Sequence, residues 1–185
     1  SVAALALAHA HSLAIMVSRL TLSKEKWADG HEAAEYVISE SLRDLEYALL
    51  LADMDAQAFD RVMAAYRLPR GDDDEKITRS QAIRTATICA AEAPLDTATK
   101  ALALLSNLET LCVSCNSNAL TDLASSAELS YTAVNIAAMN VRINLDFIEG
   151  EDVDILSSRI HGVVDASSTS VEKVRSKVKE RLGWV

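Results

Sequence analysis

Aromatic side chains, glycine and proline are scarce in this chain of 185 residues, of which 4% are aromatic, five are glycine and two are proline. All-β sandwiches and barrels need many turn residues and many β-branched or aromatic residues, so this composition argues against them. Half of the residues are hydrophobic and 30 are alanine. That composition is typical of long helices, and it excludes a disordered chain in spite of the net charge of −9.

Positive charge is also in short supply, with 18 Lys and Arg against 27 Asp and Glu. Broad nucleic-acid binding needs a basic face, so we expect no nucleic-acid partner. Three cysteines are an odd number and do not form a disulfide framework, so we expect a cytoplasmic protein. The most apolar stretch, residues 2–17, carries His9, His11 and Ser12 and no basic leader. It predicts neither a membrane span nor a signal peptide.

Six helical segments with short connections are predicted within a single domain, residues 1–185. They cover about 2–22, 31–66, 75–92, 94–113, 119–147 and 151–182. Pro94 fits the first turn of the fourth segment, and the loop between the second and third contains Pro69 and Gly71. The sequence therefore favours an all-α, up-and-down bundle of about six helices.

The second segment, residues 31–66, is a very long helix, about 54 Å at 1.5 Å per residue. Its apolar residues recur at steps of three and four. They are Leu42, Leu45, Leu49, Ala52, Ala56, Phe59, Met63 and Tyr66, which we call the seam. Such a helix is longer than a compact domain of this size needs, so we expect a helical dimer.

Polar residues on faces that packing alone would make apolar are the candidates for function. Asp53 and Asp55 flank the seam, and Asn140 and Asn144 lie four residues apart on one face of a helix that is otherwise apolar. A buried amide needs a partner, either from another helix or from a ligand. For both pairs a purely structural interpretation stays open, as solvated carboxylates or as an amide pair bonded within the protein.

Two further groups precede the fifth segment. Asn116, Asn118 and Asp122 lie at its start, where they serve either as caps or as part of a site for a carbonyl or carboxylate. Cys112 and Cys115 form a CxxC motif at the end of a helix, with no second pair. A zinc site needs two more ligands, so we expect no metal site.

Several of these residues belong to motifs that follow one another in a specific order, from residue 1 to about residue 152. They are Ser1–Ala4, Leu20–Lys24, Asp53–Phe59, Val62–Pro69, Ala93–Leu95, Asn116–Asp122 and Asn140–Leu145. Together they resemble the cyclodeaminase domain of formiminotransferase-cyclodeaminase. They are equally similar to its stand-alone relatives, the methenyltetrahydrofolate cyclohydrolases of the serine-cycle type.

The resemblance implies a dimeric helical bundle that binds a one-carbon derivative of tetrahydrofolate at or near the subunit interface. It places cyclodeamination first, in which 5-formimino-tetrahydrofolate becomes 5,10-methenyl-tetrahydrofolate and ammonia. Cyclohydrolysis of 5,10-methenyl- to 10-formyl-tetrahydrofolate is the alternative. Both reactions need proton transfer at a tetrahedral carbon, so the folate is the substrate and no prosthetic group is expected. A non-catalytic folate-binding or structural dimer is the alternative of another class.

Under the same resemblance, Asp122 or Asp53 is the base and Lys24 donates a proton or positions charge, while Asp55 is the structural member of its pair.

The binding residues that the resemblance implies are amides and cations. Asn116, Asn140 and Asn144 bind the pterin or the one-carbon group, and Arg67 and Lys26 suit the glutamate carboxylates of a folate.

Three positions depart from the family pattern. Cys115 stands where the family usually has Gly, Ser23 replaces a common Gly, and Trp27 stands where Tyr or Phe is usual. If the family's Gly has a positive φ, Cys115 carries backbone strain.

Overall fold

The computed structural model describes residues 1–184, which form five α-helices and no β-strand. The helices are α1 (Val2–Leu22), α2 (His31–Tyr66), α3 (Asp73–Leu111), α4 (Leu120–Leu145) and α5 (Glu151–Leu182). Two short 3₁₀ segments, Glu25–Gly30 and Ser117–Ala119, precede α2 and α4. The all-α prediction is confirmed, and α1 and α2 have the predicted bounds.

The predicted count of six helices is wrong because Pro94 does not end a helix. It lies inside α3, which runs for 39 residues without interruption. A proline in a helix removes the bond to the carbonyl four residues earlier, here that of Ala90. The side chain of Asn144 on α4 donates to this carbonyl instead, at 3.0 Å, so the helix passes through the proline with its backbone acceptor satisfied.

Local chemistry sets the other helix boundaries. Asp72 caps α3 by accepting from the backbone N–H of Glu75 at 2.8 Å, and the Glu75 carboxylate accepts from that of Gly71 at 2.6 Å. This arrangement resembles a capping box, except that the Glu75 carboxylate bonds the residue before the N-cap and not the N-cap itself. At the other end of the chain, α5 stops at Gly183, whose φ of 66° is left-handed, as is common after a helix.

The helices run up and down, and the bundle core is rich in alanine and leucine. α1 packs against α2 and α4, α3 packs against α2 and α4, and α5 covers α3 and α4. The many buried alanines of α1, from Ala3 to Ala14, let neighbouring backbones approach closely. Ser126 on α4 donates to the Ala10 carbonyl at 2.7 Å. By length and composition α1 could cross a membrane, but 56% of its most apolar window is buried inside the bundle.

The seam of α2 faces outward in the single chain. Leu49, Phe59 and Tyr66 are 51%, 63% and 51% exposed. Six of the eight seam residues are exposed, while Leu45 and Ala52 are partly buried against the core. The heptad pattern therefore marks an apolar stripe that the other helices leave largely uncovered.

Candidate functional site

A cleft of about 420 Å³ opens at the end of the bundle where α1 begins and α4 ends. Its walls come from three helices, α2, α3 and α4, and from Ser1, the residue before α1. The lining residues are Ser1, Asp55, Ala56, Phe59, Val62, Ala90, Asn140, Ile143 and Asn144. An apolar wall with a few polar groups is typical of a small-molecule site.

The two asparagines of α4 reach the cleft together, as their spacing predicts. Both line it because residues four apart lie on the same helix face, and both are half-buried. Asn144 uses its amide nitrogen on the Ala90 carbonyl, which leaves its Oδ1 without a partner in the described residues. The side chain of Asn140 makes no hydrogen bond within residues 1–184. The structure thus supports both interpretations of this pair. The amide nitrogen of Asn144 makes a structural bond, while its Oδ1 and the side chain of Asn140 have no partner in the described chain and lie beside the cleft.

Asp55, and not Asp53, lines this cleft. Asp55 is half-buried, and its carboxylate has neither an ion pair nor a hydrogen bond within the described chain, whereas Asp53 is exposed. The sequence contains a signal for the position of Asp55 in the cleft. Asp55, Phe59 and Val62 are spaced by four and three residues and therefore share one helix face. The sequence placed both aspartates beside the seam as candidates for function, and the roles drawn from the resemblance made Asp55 the structural member of the pair.

Arg67 lies at the same end of the molecule. It directly follows the last residue of α2, five residues beyond the lining residue Val62, or about 7 Å along the helix axis at 1.5 Å per residue. Its side chain is exposed and makes no ion pair with any described residue. A cation in this position can attract an anionic part of a molecule that extends out of the cleft.

The other predicted site residues lie at the opposite end of the bundle. Lys24 precedes the first 3₁₀ segment and is exposed, and the Lys26 ammonium lies 4.8 Å from the centre of the Trp27 ring. Asp122 is in the first turn of α4, 18 residues or about 27 Å from Asn140 at 1.5 Å per residue. Within one chain, these residues and the cleft cannot contact one small ligand together.

Asn116 is committed to the fold. Its amide nitrogen donates to the Leu20 carbonyl, its backbone N–H donates to the Thr21 hydroxyl, and its Oδ1 accepts from the N–H of Asn118, each at 3.0 Å. The residue is buried. The first two bonds join Asn116 to the end of α1, and the third closes the turn before α4. This favours the capping interpretation of this asparagine.

A larger cleft of about 630 Å³ lies near Lys24, between the start of α2 and the end of α3. Asp29 and Glu32 line it together with Tyr36 and Asn107, and no lysine or arginine does. Carboxylates oppose an anionic ligand, and this cleft has two, whereas the smaller cleft has one, Asp55, and also no lining lysine or arginine. The larger cleft is therefore the less favourable of the two for an anionic ligand.

The CxxC cysteines are packed thiols. Burial raises the pKa of Cys112 to about 11 and also raises that of Cys115, so both are protonated at neutral pH. Arg181 of α5 donates to the carbonyls of Cys112 and Cys115 at 3.0 and 2.8 Å. Among the described residues 1–184, no non-glycine residue has a positive φ, so Cys115 carries no left-handed strain. Residues 1–184 contain no cluster of three or more His, Cys, Asp or Glu side chains placed to hold a metal ion.

Comparison with known proteins confirms the resemblance. A family model described as formiminotransferase-cyclodeaminase matches residues 1–157. The methenyltetrahydrofolate cyclohydrolase of Methylorubrum extorquens is 27% identical over 174 residues, which is 92% of this chain and 83% of that protein. The formimidoyltransferase-cyclodeaminase of Gallus gallus is 30% identical over 151 residues, which is 82% of this chain and 28% of the longer protein.

The fold is shared with a solved structure. The formiminotetrahydrofolate cyclodeaminase of Thermotoga maritima superposes with a TM-score of 0.78 and 25% sequence identity, over 98% of this chain and 85% of that one. Because the family model covers most of the sequence and the fold agrees over nearly the whole chain, this protein belongs to the formiminotransferase-cyclodeaminase family.

Proposed function

We propose that this chain is a folate enzyme that converts 5-formimino-tetrahydrofolate to 5,10-methenyl-tetrahydrofolate and ammonia. The observation that carries the proposal is that Asp55, Asn140 and Asn144 bring uncommitted polar groups to one largely apolar cleft. Membership of the family and the fold shared with a protein named as a formiminotetrahydrofolate cyclodeaminase support the same reaction.

The chemistry needs one proton to be moved. N10 of the folate attacks the carbon of the protonated formimino group (–CH=NH2⁺) on N5. The bond between that carbon and N10 forms, the C=N double bond becomes a single bond to the terminal –NH2, and the N10 proton leaves. The bond from this carbon to the terminal nitrogen then breaks once that nitrogen is protonated, and ammonia departs. A single carboxylate can take the proton from N10 and return it to the leaving nitrogen, and Asp55 is the carboxylate at the cleft.

The other groups bind the substrate. Asn140 and Asn144 provide amide hydrogen bonds to the pterin or the one-carbon group, and apolar residues such as Phe59 and Ile143 cover its hydrophobic surface. Arg67 attracts the glutamate carboxylates, which extend out of the cleft toward the end of α2. Charge matters here because the protein as a whole has a net charge of −9 and repels an anionic substrate elsewhere.

Lys24 and Asp122 remain a second hypothesis for proton transfer, and Asp53 a third. Lys24 and Asp122 lie at the end of the bundle opposite the cleft. They can act on a folate in the cleft only if these residues come from a second copy of the chain that packs beside it. The substitutions described below test all of these residues separately.

We also propose that the protein is a homodimer that pairs through the seam. The exposed apolar residues of α2 repeat at heptad spacing, which is the pattern of a helix that packs against a second helix. Ala56 and Phe59 belong both to the seam and to the cleft lining, so a partner on the seam would cover one side of the cleft. An isologous pair would bury two such stripes.

The dimer is tested with a charged substitution in the stripe. Leu49→Glu should turn a dimer into a monomer by sedimentation equilibrium, because a carboxylate would be buried between two apolar surfaces. Ile155→Glu, at a residue of α5 with 53% exposure against 51% for Leu49, is the matched control and should leave the mass unchanged. A wild-type chain that sediments as a monomer at high concentration would refute the pairing.

Methenyltetrahydrofolate cyclohydrolase activity is the second candidate. A protein named for this reaction aligns with 92% of the chain, whereas the cyclodeaminase relative matches over a small part of its own length. The same groups suffice, since water takes the place of N10 as the nucleophile and the carboxylate removes its proton.

The deciding experiment supplies 5-formimino- and 5,10-methenyl-tetrahydrofolate separately and follows ammonia release and methenyl absorbance. We expect ammonia from the first substrate. Loss of methenyl absorbance from the second alone would favour the cyclohydrolase, and binding of both without turnover would favour a non-catalytic folate protein.

Isosteric variants identify the base. Asp55→Asn should lower kcat by roughly 10²- to 10⁴-fold, the usual contribution of a general base, and Asp53→Asn is the matched control two residues away. Asp122→Asn and Lys24→Met test the residues at the other end. If Asp55→Asn retains full turnover while Asp53→Asn or Asp122→Asn loses it, the role given to Asp55 is wrong.

A further inference from the structure

Pro94 and Asn144 are joined through one backbone carbonyl. Pro94 has no N–H, so the carbonyl of Ala90 loses its partner within α3. The Asn144 amide nitrogen of α4 takes that place at 3.0 Å, and both Ala90 and Asn144 line the cleft. The proline is buried in the middle of a 39-residue helix, where an ordinary residue would keep the carbonyl occupied.

The bond fixes the direction of the Asn144 side chain. A carboxamide has a donor end and an acceptor end, and here the donor end is bound to Ala90. The amide keeps a second N–H on that bound end, while Oδ1 has no partner in the described chain and is the end left to accept a hydrogen bond from a ligand in the cleft. Without the orphaned carbonyl, the amide could turn over and present either end.

We propose that Pro94 is a positioning residue that makes Asn144 a hydrogen-bond acceptor, so that the cleft selects a ligand edge bearing N–H groups. The proposal rests on the proposed function for the nature of that ligand. A reduced pterin offers such an edge in its 2-amino group and its ring N–H groups. Replacement of Pro94 would restore an N–H at position 94 that competes for the Ala90 carbonyl.

The first test needs no ligand. In Pro94→Ala, the Asn144 side-chain amide should lose its partner, so its NMR signals should shift and its exchange with water should become at least tenfold faster. The signals are assigned by their absence in Asn144→Asp. Pro69→Ala, in the exposed loop between α2 and α3, is the matched control and should leave them unchanged. Unchanged Asn144 signals in Pro94→Ala would overturn the proposal.

The second test uses 5-formyltetrahydrofolate, a stable reduced folate, as the binding probe. Pro94→Ala should bind it roughly 3- to 10-fold more weakly, the effect of one neutral hydrogen bond, although removal of a helix proline should leave Tm equal or higher. In the Asn144→Ala background the same proline substitution should change binding less than twofold. A loss of equal size in both backgrounds would mean that Pro94 acts through packing alone, which overturns the proposal.

The two tests separate this proposal from the proposed function. If the wild-type chain binds no reduced folate, the proposed function fails, while the NMR comparison still decides whether Pro94 controls Asn144. If Pro94→Ala frees the Asn144 amide but the probe binds as before, the folate function stands and the selection proposed for Asn144 is wrong.

Discussion

His11 makes the stability of this protein depend on pH in a defined window. The imidazole of α1 is 2% exposed, with Nδ1 3.0 Å from the Ser41 hydroxyl and Nε2 without a partner in the described chain. Burial lowers its pKa from 6.5 to about 4, against the opposing influence of Asp44, and Lys100 lowers it further. The native protein therefore holds His11 neutral, while the unfolded chain binds a proton at pH 6.5.

The size and sign of the effect follow from this difference in pKa. Above pH 6.5 the histidine is neutral in both states, and the stability is fully present. Between pH 6.5 and about 4 only the unfolded state binds the proton, so stability falls with pH, by about 2 kcal/mol at pH 5 and about 3 kcal/mol in total. Below pH 4 this group causes no further loss.

The measurement is urea unfolding from pH 8 to pH 5, at one ionic strength and one protein concentration. Wild type should lose about 2 kcal/mol more than His11→Gln over this range, although the variant is less stable at pH 8. His9→Gln, at the exposed histidine two residues earlier, is the control and should keep the wild-type slope. Equal slopes for wild type and His11→Gln would refute the reasoning.

Two packing contacts give further predictions. A Cβ at Gly30 would lie 2.6 Å from the Ser114 carbonyl oxygen, so Gly30→Ala should lower the free energy of unfolding by about 1–3 kcal/mol. Gly162→Ala, with nothing within 4 Å, should instead raise it by up to about 1 kcal/mol; a destabilisation of equal size in both would contradict this. Arg181→Ala leaves buried carbonyls unpaired beside Cys115 and should cost about 1–3 kcal/mol by urea unfolding, and alkylation of the Cys115 thiol should become faster. An unchanged alkylation rate would mean that Arg181 does not protect the Cys115 thiol from solvent.

The success and failure of the helix predictions have a common cause. α1 and α2 were predictable because their apolar periodicity lies within each segment, and breakers such as Gly30 and Pro69 lie within a few residues of the ends of α2. Pro94 has the same local signal, yet α3 continues through it. The group that makes this possible, Asn144, is 50 residues further along the chain and on another helix.

In the candidate site, too, local spacing determined some features and the packing of distant helices determined the others. The sequence alone determined the helical class, the family, and the pairing of Asn140 with Asn144, because four-residue spacing defines a helix face wherever the helix lies. Only the tertiary structure decided that Asp55 rather than Asp53 lines the cleft, and that Asn116 is bonded to the end of α1. Local spacing states which residues share a face, but what that face meets depends on how distant helices pack.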